Sequence, residues 1–170
     1  MLRPDRTGLL VIDVQEKLFR LMHEKDELER NMVKAVEGAQ AFGLPIVWAE
    51  QYRKGMGPTI PALTGLLEPG LSPIDKKTFS CWAHPALSKA MQDTGAEQWL
   101  LVGIETHVCV TQTALDLRAQ GNEVHVLCDA VGSRSPTNKD VGLRRMAAAG
   151  VEMSSVEMAL FELLGAAEGE

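Results

Sequence analysis

The chain is poor in aromatic residues and in cysteine, and it has no long apolar run. Among 170 residues there are one Tyr, four Phe and three Trp. So few rings give no stacking platform for single-stranded nucleic acid. Lys and Arg number 17 against 23 Asp and Glu, a formal net charge of -6. Binding to a phosphate backbone draws on clustered cations, so no nucleic-acid partner is expected. No apolar stretch approaches the roughly 20 residues that span a bilayer, which argues against a membrane partner. Near the N-terminus the apolar residues run only from Leu9 to Ile12 before Asp13 interrupts them. No small-residue cleavage site follows, so a secretory signal is not expected and a cytoplasmic location is.

Cysteine is limited to Cys81, Cys109 and Cys128. An odd count without a secretory signal does not read as a disulfide framework. No CxxC pair is present, which removes zinc ribbons and thioredoxin-type motifs. No GxGxxG and no Walker A sequence follows the first apolar segment, so nucleotide binding has no support. There is no internal repeat and no low-complexity linker.

What is present is an ordinary globular balance, 45% hydrophobic and 24% charged. Length and composition fit one domain over residues 1–170. Continuous apolar runs alternate with amphipathic stretches. Strands are expected at 8–14, 45–49, 76–79, 98–104, 123–129 and 151–154. Helices are expected at 26–42, 84–94, 107–119, 138–149 and 155–164. The run EKDELER at 24–30 reads as the solvated start of the first helix. Residues 52–75, rich in Gly and Pro, read as a long functional loop, and 166–170 are expected to fray. Such alternation implies βαβ units and a six-stranded parallel sheet in a three-layer α/β/α fold. The common doubly wound order is 3-2-1-4-5-6.

In such a sheet ligands bind beyond the carboxyl ends of the strands, where strand order reverses. Asp13 ends the first strand, and an ionised carboxylate there is costly unless paired. Cys109 falls in the first turn after the fourth strand. A helix N-terminus there favours thiolate over thiol and offers N–H groups to an oxyanion. Lys76, at the third strand, adds a cation that lowers the thiol pKa. Asp13, Lys76 and Cys109 thus converge from three strand ends, as nucleophilic catalysis requires.

Most free cysteines are small buried hydrophobes. That reading suits Cys128, inside an apolar strand; for Cys81 it stands at least level with a place at the pocket border. For Cys109 the strand-to-helix position favours a nucleophile. His107 reads as pocket wall or surface, and His23, His84 and His125 as structural.

Four segments resemble the isochorismatase-like cysteine hydrolases over nearly the whole chain, and most nearly the subgroup of isochorismatase-domain-containing proteins. They are LLVIDVQ at 9–15, DKKTFSCW at 75–82, GIETHVCV at 103–110 and CDAVGSRS at 128–135. The resemblance implies Asp13 as general acid/base, Lys76 as supporting cation and Cys109 as nucleophile. Lys77 competes with Lys76, but Lys76 has the motif spacing to Phe79 and Ser80, and strand neighbours face opposite ways. The resemblance further implies an oxyanion hole of the Glu105 and Cys109 N–H groups, beside a cis peptide at Ile104–Glu105. Gln15, Gln51, Trp82 and Thr106 are the expected substrate-binding residues, with Glu50 beside them. Nicotinamidases of this superfamily hold a metal through an Asp-x-His after the second strand. Here residues 49–58 read AEQYRKGMGP, without histidine, so neither a metal nor another cofactor is expected. The expected activity is hydrolysis of a small molecule, an amide by preference, by a homo-oligomer of two or more copies. A catalytically idle scaffold and a thiol redox sensor pairing Cys109 with Cys81 are the competing readings.

Overall fold

The structure, a computed structural model, describes residues 1–167; of the segment expected to fray, 168–170 lie outside it. Six parallel strands form one sheet in the order β3-β2-β1-β4-β5-β6. They are β1 Thr7–Ile12, β2 Ile46–Gln51, β3 Ile74–Lys76, β4 Gln98–Ile104, β5 Glu123–Gly132 and β6 Glu152–Ser154. The apolar runs explain the parallel sheet. Every residue of β1 and β4 is buried, because helices cover both faces. Leu9 and Val11 point into one core, Leu10 and Ile12 into the other.

The first face is covered by α2 (Lys25–Ala41), α4 (Pro61–Leu67) and α8 (Val156–Leu164). On α2 the buried residues are Leu28, Met32, Ala35, Val36 and Ala39, the stripe that helical spacing dictates. The second face is covered by α5 (Pro85–Asp93), α6 (Thr111–Ala119) and α7 (Pro136–Ala148). Ser135 caps α7 by accepting from the Asn138 N–H, and Pro136 fits the first turn, where its missing N–H costs nothing. Among the described residues no helix is long and apolar enough to cross a membrane.

Several boundaries differ from expectation. Residues 52–75 are not a loop throughout: they hold α3 (Arg53–Met56) and α4, whose Leu63 and Leu67, four apart, are buried together. The third strand ends at Lys76 rather than beginning there, because the chain curls back so that Thr78 and Phe79 carbonyls meet the Lys76 ammonium. A short helix α1 (Glu16–Phe19) and a 3-10 turn (Pro4–Arg6) were not expected. The helix after β4 opens with a wide π turn, Thr106–Val110, before α6 begins. The fifth strand is longer, with a register shift opposite Leu101 and Gly103.

Gly103 has φ +134, and a Cβ there would lie 2.1 Å from the Ile12 carbonyl oxygen. Only glycine lets β1 and β4 approach this closely, immediately before Asp13 on one strand and the π turn on the other.

Candidate active site

The polar residues gather where the sheet reverses, at the carboxyl ends of β1, β2, β3 and β4. Asp13 leaves β1 in the left-handed region, φ +55, a conformation Asp tolerates better than most residues. Its N–H still bonds to the Ala49 carbonyl at 3.1 Å, so the carboxylate is fixed beside β2. The side chain is buried. Oδ2 accepts from Lys76 Nζ at 2.8 Å, while Oδ1 is buried and has no partner within ordinary hydrogen-bond distance. The neighbouring donor that interacts with this carboxylate is the Cys109 thiol.

Lys76 is the lysine that faces inward; Lys77 is exposed. Its side chain is fully buried. Besides Asp13, Nζ reaches Gln51 Oε1 at 2.6 Å and the carbonyls of Thr78 and Phe79, each at 3.1 Å. Four acceptors surround three protons, which keeps the ammonium charged. Burial opposes that charge most strongly, but Asp13 together with the Cys81 and Cys109 sulfurs outweighs it, and the pKa stands above the ordinary lysine value. Asp13 is raised: burial pushes it up and Lys76 pulls it partly back.

Cys109 lies in the π turn and is 6% exposed. Its thiol is pushed well above the usual range, first by burial and then by the charge of Asp13, which together outweigh Lys76. The lowered thiol pKa expected from the helix N-terminus and Lys76 is therefore corrected: burial and Asp13 shift it upward. Cys81 is a second buried thiol in this neighbourhood, pushed up to about 12 by burial and then by Asp13. Its N–H donates to Thr113 Oγ1 at 2.9 Å.

The Ile104–Glu105 peptide is cis, as the family resemblance implies. The Glu105 carbonyl accepts from Val108 and Val110 N–H groups, at 3.0 and 3.3 Å, while its own N–H donates to no group among the described residues. The Glu105 side chain turns away and accepts from the Arg134 N–H at 3.1 Å and Arg134 Nε at 3.2 Å. Thr106 is fully buried, and its hydroxyl has no partner. His107 meets Ser133 Oγ through Nδ1 at 3.0 Å.

Four residues expected at the pocket are held by the protein's own groups. Gln15 Nε2 donates to the carbonyls of Gln51 and Gly57, and Oε1 accepts from the Gln51 N–H. Gln51 holds Lys76 through Oε1 and the Lys77 carbonyl through Nε2. Glu50 is consumed by Thr59 and Arg53, which pin the segment between β2 and α4. Trp82 stands against Trp99 and Met91. Trp99 pairs with Gly8 near the starts of β4 and β1, the far end of the sheet from Asp13. Sequence reasoning singled out Ser133 and Arg134 only as part of the segment at 128–135, and it gave Gly142 no role. The signal at Gly142 was a glycine in the middle of an expected helix, where it costs about 1 kcal/mol against alanine unless packing requires it. Among the described residues no group of three or more His, Cys, Asp or Glu side chains is disposed to hold a metal.

Residues 7–158 match the family described as Isochorismatase domain. The chain is 34% identical over 156 residues to isochorismatase domain-containing protein 2 of Danio rerio, covering 92% of this chain and 78% of that one. Its fold is similar to the MAR1 ribonuclease of Caenorhabditis elegans, with TM-score 0.92, 33% identity and coverage of 98% and 85%. It is also similar to the YcaC gene product of Escherichia coli, described as an octameric hydrolase of unknown specificity, with TM-score 0.93, 27% identity and coverage of 97% and 82%. On the matched domain, the shared fold and the relatives' identity over most of their length, the chain belongs to the isochorismatase family.

Proposed function

We propose that the protein is a cysteine hydrolase, one domain over residues 1–170, acting on a small amide-type substrate. The observation that carries the reading is the Asp13 carboxyl, whose Oδ1 is buried without a partner among the described residues while Lys76 occupies Oδ2, and which interacts with the Cys109 thiol. A carboxyl raised by burial is a stronger base than an ordinary one, and it takes the thiol proton as attack begins. Asp13 takes the thiol proton as Cys109 Sγ bonds to the carbonyl carbon. The carbonyl oxygen, now negative, is received by the N–H groups of Glu105 and Cys109. The tetrahedral adduct collapses, the C–N bond breaks, and Asp13 returns its proton to the leaving amine. A water then gives its proton to Asp13 and attacks the thioester, releasing the carboxylic acid and restoring the thiol. Lys76 holds Asp13 in place and balances its charge throughout.

A net charge of -6 suits a small molecule better than a phosphate chain. The octameric description of the E. coli relative supports a homo-oligomer of two or more copies. Three free cysteines support a reducing, cytoplasmic location. The test is a panel of small amides and ureido compounds scored by ammonia release and repeated with Cys109→Ala. Release that persists in that variant would sink the mechanism. If no compound turns over and Cys109 shows no greater alkylation than Cys128, the idle-scaffold reading takes its place.

A further inference from the structure

We infer that Gly142, on α7, is a positioning residue for the oxyanion hole, an inference that rests on the hydrolase reading above. Gly142 is buried in the body of α7, facing the π turn. A Cβ at that position would stand 2.9 Å from His107 Cα, 3.1 Å from His107 N and 3.2 Å from the Thr106 carbonyl carbon. All three atoms are backbone, so no side chain can swing aside. The α7 backbone therefore rests directly on the Thr106–His107 peptide. Along the chain that peptide lies between the two N–H groups proposed to receive the oxyanion, Glu105 one residue before it and Cys109 two residues after.

Two further contacts press the same turn from the same side. Ser133 Oγ bonds His107 Nδ1 at 3.0 Å, and Arg134 N–H and Nε bond the Glu105 carboxylate at 3.1 and 3.2 Å. Ser135 then caps α7. The segment from Ser133 through Gly142 thus grips the π turn at Glu105, Thr106 and His107. Asp13 and Lys76 are held independently, by β2 and β3 and by Gln51. Gly142 accordingly governs where the oxyanion donors sit and leaves the proton acceptor alone. A backbone shift of about 1 Å at such donors is enough to cost about 100-fold in rate.

Two reactions of the same thiol separate these functions. Acylation of Cys109 by 4-nitrophenyl acetate passes through an oxyanion; alkylation by iodoacetamide does not. Gly142→Ala is expected to slow acylation at saturating ester by at least about 10-fold, with the half-saturating concentration within about two-fold, while alkylation stays within about two-fold. Ser133→Ala, which loosens the same turn without adding an atom, is expected to slow acylation by about three-fold and keeps the test open should Gly142→Ala not fold. Acylation and alkylation falling together, or acylation unchanged in either folded variant, would overturn the inference. In the latter case loss of acylation in Cys109→Ala leaves the hydrolase reading standing. Acylation that survives Cys109→Ala overturns that reading instead.

Discussion

Lys76 Nζ sits 2.8 Å from Asp13 Oδ2, and both side chains are buried. The two come from strands separated by β2, so the pair ties β3 to β1 across it. Its chemical consequence is one-sided. Lys76 takes one carboxylate oxygen and leaves the other buried without a hydrogen-bond partner among the described residues, in a carboxyl group that the Cys109 thiol also influences.

Removing one partner of such a pair leaves a buried charge without compensation. Lys76→Met is expected to lose about 3–5 kcal/mol of stability near neutral pH. Asp13 is then pushed higher still, because its remaining shift is burial without Lys76. A folded carboxyl raised above its unfolded value favours the folded state at low pH, and that benefit is lost as pH rises through the folded value. The deficit of Lys76→Met should therefore shrink as pH falls toward the ordinary carboxyl range. Urea midpoints of both proteins across that range measure it; a constant deficit would contradict the pairing.

The same shift sets the acid limb of activity. Asp13 accepts a proton only when ionised, so turnover is present above its raised pKa and lost as pH falls through it. The limb should lie above the ordinary carboxyl value of 3.8. In any Lys76→Met protein that retains measurable turnover it should move to higher pH. The pH dependence of kcat/KM for the two proteins reads this directly.

Asp13→Asn separates thiol acidity from catalysis. The Asp13 charge helps push the Cys109 thiol up, while Lys76 pulls it down. Without the carboxylate the thiol should titrate at lower pH, measured as thiolate absorbance against Cys109→Ala. Turnover should nevertheless fall by about 100-fold or more, because the proton acceptor is gone. A thiol that titrates unchanged would show that Asp13 and Cys109 do not interact.

Gly103→Ala probes the floor of the site. With φ +134 and the Ile12 carbonyl 2.1 Å from the new Cβ, β1 and β4 must part. A loss of about 3 kcal/mol or more is expected in chemical denaturation. Stability equal to the parent would mean that the two strands tolerate separation at Asp13.

The sheet was legible because its strands are buried on both faces and read as unbroken apolar runs, as in LLVI at 9–12 and QWLLVGI at 98–104. Asp13 and Cys109 were singled out because each follows such a run at one end of the sheet, and Lys76 only by its motif spacing to Phe79 and Ser80. What was not legible depends on side-chain direction. Gln15 and Gln51 carry the chemistry of ligand binders, yet their amides are consumed by backbone groups and by Lys76, which only the fold brings within reach. Trp82 is near Lys76 in sequence, but the chain turns after β3 and carries it toward Trp99. The thiol's acidity was misjudged because helix position and a nearby lysine were weighed without the burial that outweighs them.

The most direct test is to identify the acylated residue. Wild-type protein reacted briefly with 4-nitrophenyl acetate, quenched in acid and mapped by peptide mass spectrometry should carry its fast-forming acetyl group on Cys109. Asp13→Asn should form that adduct at least about 10-fold more slowly, and Cys109→Ala should lack the fast phase. An acetyl group that forms equally fast on Cys81 or Cys128, or a fast phase intact in Cys109→Ala, would contradict Cys109 as the nucleophile.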